Sequence, residues 1–306
     1  MRGAEKGEDV QPVEVIEEVG STNAEMKARG RAGAPHGAAL RACVQTAGRG
    51  QRSHAWCSPE GGLYLSILVR PEVPREALPA LPVACALGVL GALREVGCPR
   101  VRLKWPNDIV VGHRKLAGIL TELATSEEGV FAVCGIGVNM AAPSLTSPSS
   151  SREGGSVSPL HPTGLLDELS VTAQVPCLDE LAERIRARVL EAVAGWSDVY
   201  GQSGAYLGLP RLAARTSGVE PERWVEDPVR GGAEGPLAPL LAPYNASLAF
   251  IGEQVRVVAI DGEEVAQGMF LGVDGYGRAL ISQPDAAVGT FDAADVSIRP
   301  LPGLGA

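Results

Sequence analysis

Apolar and polar positions along this chain fall into short, well-separated patterns. Residues 13–18 (VEVIEE) alternate with the period of a half-buried strand, and the Gly20-Ser21 turn then opens a helix at Ser21 or Thr22, with Ser21 placed to cap it. Strand-like runs recur at 38–46, 63–69, 101–104, 108–111, 116–122 and 130–136. Residues 78–93 are almost continuously apolar but carry two prolines and fall short of the roughly 20 residues that span a bilayer, so they predict a buried helix from near Leu81. Short connections between the runs predict an antiparallel or mixed sheet with helices on one face.

The pattern then changes. Residues 141–163 are rich in Ser, Pro and Gly and poor in core formers, which predicts a surface insertion. In 175–196, Leu178, Leu181, Ile185, Val189 and Ala192 recur at helical spacing with Arg and Glu between them, an amphipathic helix. A second irregular stretch covers 201–243. Beyond it, alternating Val255, Val257 and Ala259, the Asp261-Gly262 turn and Asp274-Gly275-Tyr276-Gly277 predict consecutive hairpins and a small β-barrel over 245–306.

Composition narrows the possibilities. A length of 306 residues with 45% apolar content supports about two globular domains. A net charge of -9, and the absence of any run of five Lys/Arg, argue against a surface that neutralises nucleic-acid phosphates. Six cysteines without a CxxC pair fit a reducing compartment, with the cytoplasm as the expected location. The polar N-terminus lacks the apolar core of a secretory signal. No phosphate loop, GxSxG elbow or HExxH is present, and His36, His54, His113 and His161 lack metal-ligand spacing. GIGVN begins like a dinucleotide fingerprint, but Met140 takes the last glycine position and no helix pattern follows.

Two stretches carry candidate chemistry. In GRGQRSHAWCSPEGGLYLSILV, glycines around Arg49 let backbone approach a ligand while a guanidinium reaches an anion. In LKWPNDIVVGHRKLAGILTEL, Pro106 interrupts a strand beside Asn107 and Asp108, and a tight turn at 112–114 returns the chain so that Lys104, Asp108 and Lys115 gather at one end of a hairpin. Lys115 precedes apolar LAGIL and must point somewhere sheltered. Trp56 is expected to pack beneath the loop. These residue types suit activation of a carboxylic acid by ATP, where the protein aligns the carboxylate with the α-phosphorus and neutralises charge.

Taken in order, STN (Ser21 to Asn23), QTAGRGQ (Gln45 to Gln51), Trp56 with SPEGGLYLS, KWPND (Lys104 to Asp108), RKLAGIL (Arg114 to Leu120) and GIGVNM (Gly135 to Met140) resemble the motifs of a biotin protein ligase. The resemblance implies an α+β fold with a class II aminoacyl-tRNA synthetase-like mixed sheet over 13–244 and an SH3-like β-barrel over 245–306. It implies that Ser21, Thr22 and Gln45 hold the fused-ring end of biotin, with Asn23, Gly48, Gly50 and Gln51 beside it and the backbone at Gly135 and Gly137 packing the ring and tail. Arg49 and Lys115 would sit at the carboxylate and α-phosphate as the catalytic pair, and Lys104, Asn107 and Asn139 would lie near ATP. Asp108 would support Mg²⁺ or the incoming target lysine. Biotin, ATP and Mg²⁺ are the implied substrates and metal, and the carrier domain of a biotin-dependent carboxylase the implied partner.

Two departures from the family pattern stand out. Gln51 replaces a second arginine expected to retain the adenylate, with Arg52 nearby as a substitute charge. Only about a dozen residues precede 13, too few for a winged-helix DNA-binding domain. The expectation is a ligase without DNA or membrane partners, monomeric or weakly dimeric. The competing readings are a lipoate or octanoate ligase or transferase of the same superfamily, and a catalytically silent biotin binder.

Overall fold

The computed structural model describes residues 11–53, 55–143, 160–201, 235–284 and 286–301. His54 and the larger parts of both irregular stretches, 144–159 and 202–234, lie outside the described residues.

The first sheet is built from β1 (Glu14–Val19), β2 (Ala39–Gln45), β3 (Leu63–Val69), β4 (Val101–Lys104), β5 (Asp108–Val111), β6 (Arg114–Ser126), β7 (Gly129–Val138) and the two-residue β8 (His161–Pro162). Its order is β1-β2-β3-β7-β6-β5-β4, with β8 beside β6. The β1–β2 and β6–β8 pairs are parallel and the rest antiparallel, so the sheet is mixed.

Four helices join it: α1 (Thr22–Arg31), α2 (Leu81–Glu95), α3 (Leu165–Glu168) and α4 (Leu178–Gly201). Side chains alternate across a strand, so residues one apart report opposite faces. Ala39, Ile67, Ala132 and Cys134 pack in one cluster with α2 and α4, whereas Leu40, Leu68, Phe131 and Val133 pack on Met26 of α1. Helices therefore cover both faces, which corrects the expectation of one. Helix α1 gives little apolar signal because Met26 alone anchors it, and Gly30 makes room for the Phe131 ring, which would lie 2.3 Å from a Cβ there.

Helix α2 is the apolar element expected at Leu81. With the turn before it, it is long and apolar enough to resemble a membrane span, yet it lies in the protein core. It packs on Leu181, Ile185, Val189, Val193 and Trp196 of α4, each under 2% exposed and each stabilising the core by about 1.5–3 kcal/mol. Gly88 permits this approach, since a Cβ would come within 2.6 Å of the Arg188 carbonyl oxygen. At the start of α4, Cys177 N–H donates to Glu180 Oε2 (3.2 Å) and Glu180 N–H donates to Cys177 Sγ (3.5 Å), a reciprocal cap. Ser21, the expected cap of α1, makes no side-chain capping bond.

A short helix α5 (Leu241–Ser247) leads to β9 (Gln254–Ala259), β10 (Glu264–Val273), β11 (Ala279–Ser282), β12 (Val288–Phe291) and β13 (Val296–Pro300), an antiparallel sheet in the order β12-β11-β10-β9-β13. Two bulges bend β10, one of them beside Gly272 at φ 125°. The sheet's core is continuous with the first. Three bonds tie the chain from α5 onward to residues 103–106: Ala249 N–H to Leu103 O (2.8 Å), Trp105 Nε1–H to Gly277 O (2.8 Å) and Tyr244 O–H to Pro106 O (3.2 Å).

Candidate active site

A cavity of about 590 Å³ opens over the middle of the first sheet. Ser21, Thr22, Asn23, Gln45, Arg49, Gly50, Gln51, Lys104, Asn107, Asp108, Lys115, Gly135, Gly137 and Asn139 all border it. Gly48 stands behind the wall, where a Cβ would come within 2.5 Å of the Trp56 carbonyl oxygen.

Strand register orders the cavity. Ser66, Gly135 and Leu120 share one level, and Tyr64, Gly137 and Gly118 the next. Side chains from outside the sheet occupy these glycine gaps: Asn23 Oδ1 would lie 2.1 Å from a Cβ at Gly135, and the Trp56 indole 2.5 Å and 2.8 Å from Cβ atoms at Gly137 and Gly118. Trp56 therefore seats on the floor, as expected of a packing residue, but it also borders the cavity. Farther along β6, the pairing with β5 jumps from Ala117 to Lys115, and Leu116 is the extra residue of a bulge. The bulge resolves the question posed by Lys115, which reaches the cavity while Leu116 is buried. Lys115 to Leu120 spans five residues, about 17 Å of strand.

At the Leu120 level the groups nearest the floor are neutral and polar, with the Lys27–Glu122 ion pair behind them and the Arg49 charge near enough to help lower the Glu122 carboxyl. Gln45 Oε1 accepts from Thr22 N–H (2.9 Å) and lies 3.0 Å from Thr22 Oγ1, while Gln45 Nε2–H donates to Ser58 Oγ (2.8 Å). Beneath them Ser66 Oγ lies 2.8 Å from Thr22 Oγ1 and 2.6 Å from Asn23 Oδ1. Asn23 Nδ2–H groups donate to Leu120 O (3.1 Å) and Glu122 Oε2 (2.8 Å), and Lys27 Nζ binds Glu122 Oε1 at 2.6 Å. Burial would raise the Glu122 carboxyl, but Lys27 and Asn23 outweigh it and hold it below the ordinary range.

At the Lys115 level the cavity is charged. Asp108 Oδ1 lies 2.7 Å from Lys115 Nζ and Oδ2 lies 3.4 Å from Lys104 Nζ. Burial pushes the Lys104 ammonium below its usual range, with the Lys115 and Arg299 charges adding to the shift against the pull of Asp108. Burial alone would raise the Asp108 carboxyl, but the two ammonium groups prevail and keep it low. Lys115 Nζ also sits 5.2 Å from the centre of the Trp56 ring, a cation–π contact. Its carbonyl accepts from Thr163 N–H (2.8 Å) and Asn139 Nδ2–H (3.4 Å), and Asn107 Nδ2–H donates to Ile119 O (2.7 Å).

Both Asp108 oxygens thus face ammonium groups, and no group of three or more His, Cys, Asp or Glu suited to a metal occurs among the described residues.

Arg52 borders the cavity as expected, but its guanidinium is held from the side of the second sheet. It takes a left-handed backbone conformation (φ 54°), and its guanidinium donates to the carbonyls of Ala293 and Val296 (2.7 Å to the latter), tying the glycine-rich loop to the second sheet. Ala259, Ile260, Ser297 and Arg299 of that sheet also border the cavity. No local pattern marks them, since ordinary strand alternation accounts for each. Glu168 was equally silent: buried in α3, it receives Arg100 (3.0 Å), Arg114 (2.7 Å) and Thr163 (2.6 Å), pinning the 160–168 segment beside Lys115.

Residues 21–139 match the Biotin/lipoate A/B protein ligase family, and residues 250–299 the Biotin protein ligase C terminal domain. A biotin acetyl-CoA-carboxylase ligase of Mycobacterium tuberculosis is 34% identical over 276 residues, 88% of this chain and 82% of that relative. The bifunctional ligase/repressor BirA of Bacillus subtilis is 40% identical over 109 residues, so the chain spans about a third of that relative's length (34%). Among solved structures, a biotin protein ligase from Aquifex aeolicus in complex with biotin and ATP superposes with a TM-score of 0.64 at 24% identity, over 95% of this chain and 100% of that one. That likeness concerns the fold.

Proposed function

This chain belongs to the biotin protein ligase family, and from that premise we propose that it activates biotin with ATP to biotinyl-5'-AMP and transfers the acyl group to a lysine of a carboxylase carrier domain. The observation that carries the proposal is the gradient along the cavity floor, uncharged hydrogen-bonding groups at one level of β6 and β7 and a buried two-lysine, one-carboxylate cluster at another. An elongated acid with a polar ring fits that gradient: the ring meets Thr22 and Gln45, and the tail leads its carboxylate toward Lys115.

In the first half-reaction a biotin carboxylate oxygen attacks the α-phosphorus and pyrophosphate leaves. Negative charge accumulates at the α-phosphate, and Lys115 and Arg49 are the cations assigned to it. Asp108 orients Lys115 through the 2.7 Å contact. Mg²⁺ enters as the counterion of ATP, as part of the substrate. In the second half-reaction the carrier lysine amine attacks the acyl carbon, an amide forms and AMP departs. The mixed anhydride reacts with water, so the Gly48–Gln51 loop serves to cover it. We assign 13–244 to the catalytic domain and 245–306 to a second domain that contributes Arg299 to the cavity wall.

The test is transfer of labelled biotin to a purified carrier domain with MgATP, beside Lys115→Ala and with lipoate as competitor. Wild type should transfer biotin, lipoate should not compete, and Lys115→Ala should be slower by about 10²–10³-fold or more. Biotin binding without transfer would favour a silent binder, and effective competition by lipoate would favour the lipoate branch of the superfamily.

A further inference from the structure

Lys115 stands where its strand runs out of neighbours. The β6–β7 ladder extends from Ser126 back to Ala117, and one further bond, Asn139 N–H to Leu116 O (3.0 Å), ends it short of Lys115. On the other side Lys115 faces Val110 across the bulge at Leu116, where the β5 register shifts. Left to these contacts, the main chain that carries the ammonium would sit at a loose strand end. Pro162 of β8 lies opposite Lys115 but has no N–H to give, and the Lys115 carbonyl takes its bonds from the next residue, Thr163 N–H (2.8 Å), and from Asn139 Nδ2–H (3.4 Å). Asn139 joins the two, since its Nδ2–H also lies 3.2 Å from Thr163 O and its carbonyl accepts from Leu165 N–H (2.8 Å). The place of the Lys115 carbonyl therefore depends on where Thr163 is held.

Glu168 holds it. The Glu168 side chain is wholly shielded from water, a costly place for a carboxylate unless both oxygens are bonded. Its Oε1 accepts from the Thr163 hydroxyl (2.6 Å) and from Arg114 (2.7 Å), the residue before Lys115. Its Oε2 accepts from Arg100 (3.0 Å), which stands just before β4 and is not among the residues bordering the cavity. One oxygen thus grips both attachments of Lys115, the preceding residue and the donor to its carbonyl, while the other serves an outlying arginine.

We propose that Glu168 is a positioning residue for Lys115: through Thr163 and Arg114 it fixes the main chain from which the ammonium reaches the cavity, as Asp108 fixes the ammonium itself. What Lys115 does there rests on the ligase reading, which this assignment deepens by naming what holds the cation at the α-phosphate. Glu168 does not border the cavity, so it meets no substrate and acts only through its two neighbours.

Biotin-dependent exchange of labelled pyrophosphate into ATP reads the adenylation step alone. Thr163→Val keeps the shape of the side chain and removes the hydroxyl that Glu168 holds, so kcat should fall about 10- to 100-fold, the effect of displacing a reacting group by about 1 Å or less. The KM for biotin should stay within about twofold of wild type, because the ring groups lie about 17 Å away along β6. Glu168→Leu should lose at least as much kcat, and Thr163→Val serves if that variant does not fold. Thr163→Ser, which restores the hydroxyl, should return kcat to within about threefold of wild type. Arg100→Gln removes the partner of the other oxygen and should lower the urea midpoint while leaving kcat within about twofold. Added to Lys115→Ala, Thr163→Val should cost nothing more, because both act through one ammonium. An unchanged kcat in Thr163→Val, an equal kcat loss in Arg100→Gln, or a multiplied loss on top of Lys115→Ala would overturn the proposal while leaving the ligase reading intact. Absence of biotin-dependent exchange in the wild-type protein would overturn both.

Discussion

Replacing Asp108 with Asn removes the counter-charge shared by Lys104 and Lys115 while nearly preserving shape. At 2.7 Å and an effective dielectric of about 20, the Asp108–Lys115 attraction alone is about 6 kcal/mol. Most of that is offset by the cost of taking the charges out of water, and removing one member of a buried pair costs about 3–5 kcal/mol. Against a total stability of about 5–15 kcal/mol, the variant should be folded at neutral pH but much weakened. The pH dependence gives a second reading. The Lys104 ammonium already has a lowered folded pKa, and loss of Asp108 lowers it further. An unfolded chain that binds more protons than the native one gains native stability as pH rises, so the deficit of Asp108→Asn should be full at pH 7 and shrink toward the unfolded lysine value of 10.5. On the acid side, wild type loses the Asp108 contribution as pH falls below 3.8 and through the lowered folded value, whereas the variant has none to lose. Urea unfolding followed by tryptophan fluorescence at pH 7 and at about pH 9.5 measures the deficit and its decline on the alkaline side. A deficit under about 1 kcal/mol at pH 7, or one that grows with pH, would refute the charge-cluster argument.

Three further outcomes follow from the loop and the floor. Gly137→Ala brings a Cβ within 2.5 Å of the Trp56 indole, so the ring must move. Tryptophan emission should shift and the KM for biotin rise about tenfold, matching an overpacking cost of about 1–3 kcal/mol, and an unchanged spectrum and KM would show that the floor yields. Arg52→Ala removes the tie to Ala293 and Val296, so limited proteolysis should cut the 48–56 loop several times faster, and equal rates would mean the tie does not restrain it. Gln51→Arg restores a cation beside the cavity and should slow release of biotinyl-5'-AMP; an unchanged release rate would count against electrostatic retention.

Much of the framework was legible in the sequence because its determinants are local. Strands β3, β4 and β5 occupy the expected 63–69, 101–104 and 108–111, where apolar runs end at Pro, Gly or Asn. The helix expected at 175–196 begins instead at Leu178, because Cys177 supplies a cap that sequence patterns rarely credit to cysteine, and it runs on to Gly201. Whatever depends on partners far along the chain stayed hidden. Lys104 has the look of a solvated lysine until Asp108, Lys115 and Arg299 surround it, and Arg52 is one arginine among several until its backbone turns toward Val296. The face chosen by α1 is set by the fit of Phe131 against Gly30, residues 101 positions apart.

The bonds that tie Trp105 to Gly277, Leu103 to Ala249 and Arg52 to Val296 also order events on the ribosome. A nascent chain has made Arg49, Lys104, Asp108 and Lys115 well over a hundred residues before Arg299 emerges to complete the wall around them. Until residues 249 and 277 emerge, the β4 edge and the Trp105 indole lack these partners. A product of premature termination between 140 and 248 therefore carries all six motifs yet lacks the part of the cavity wall that Arg299 supplies, and its open strand edge is a handle for chaperones and proteases.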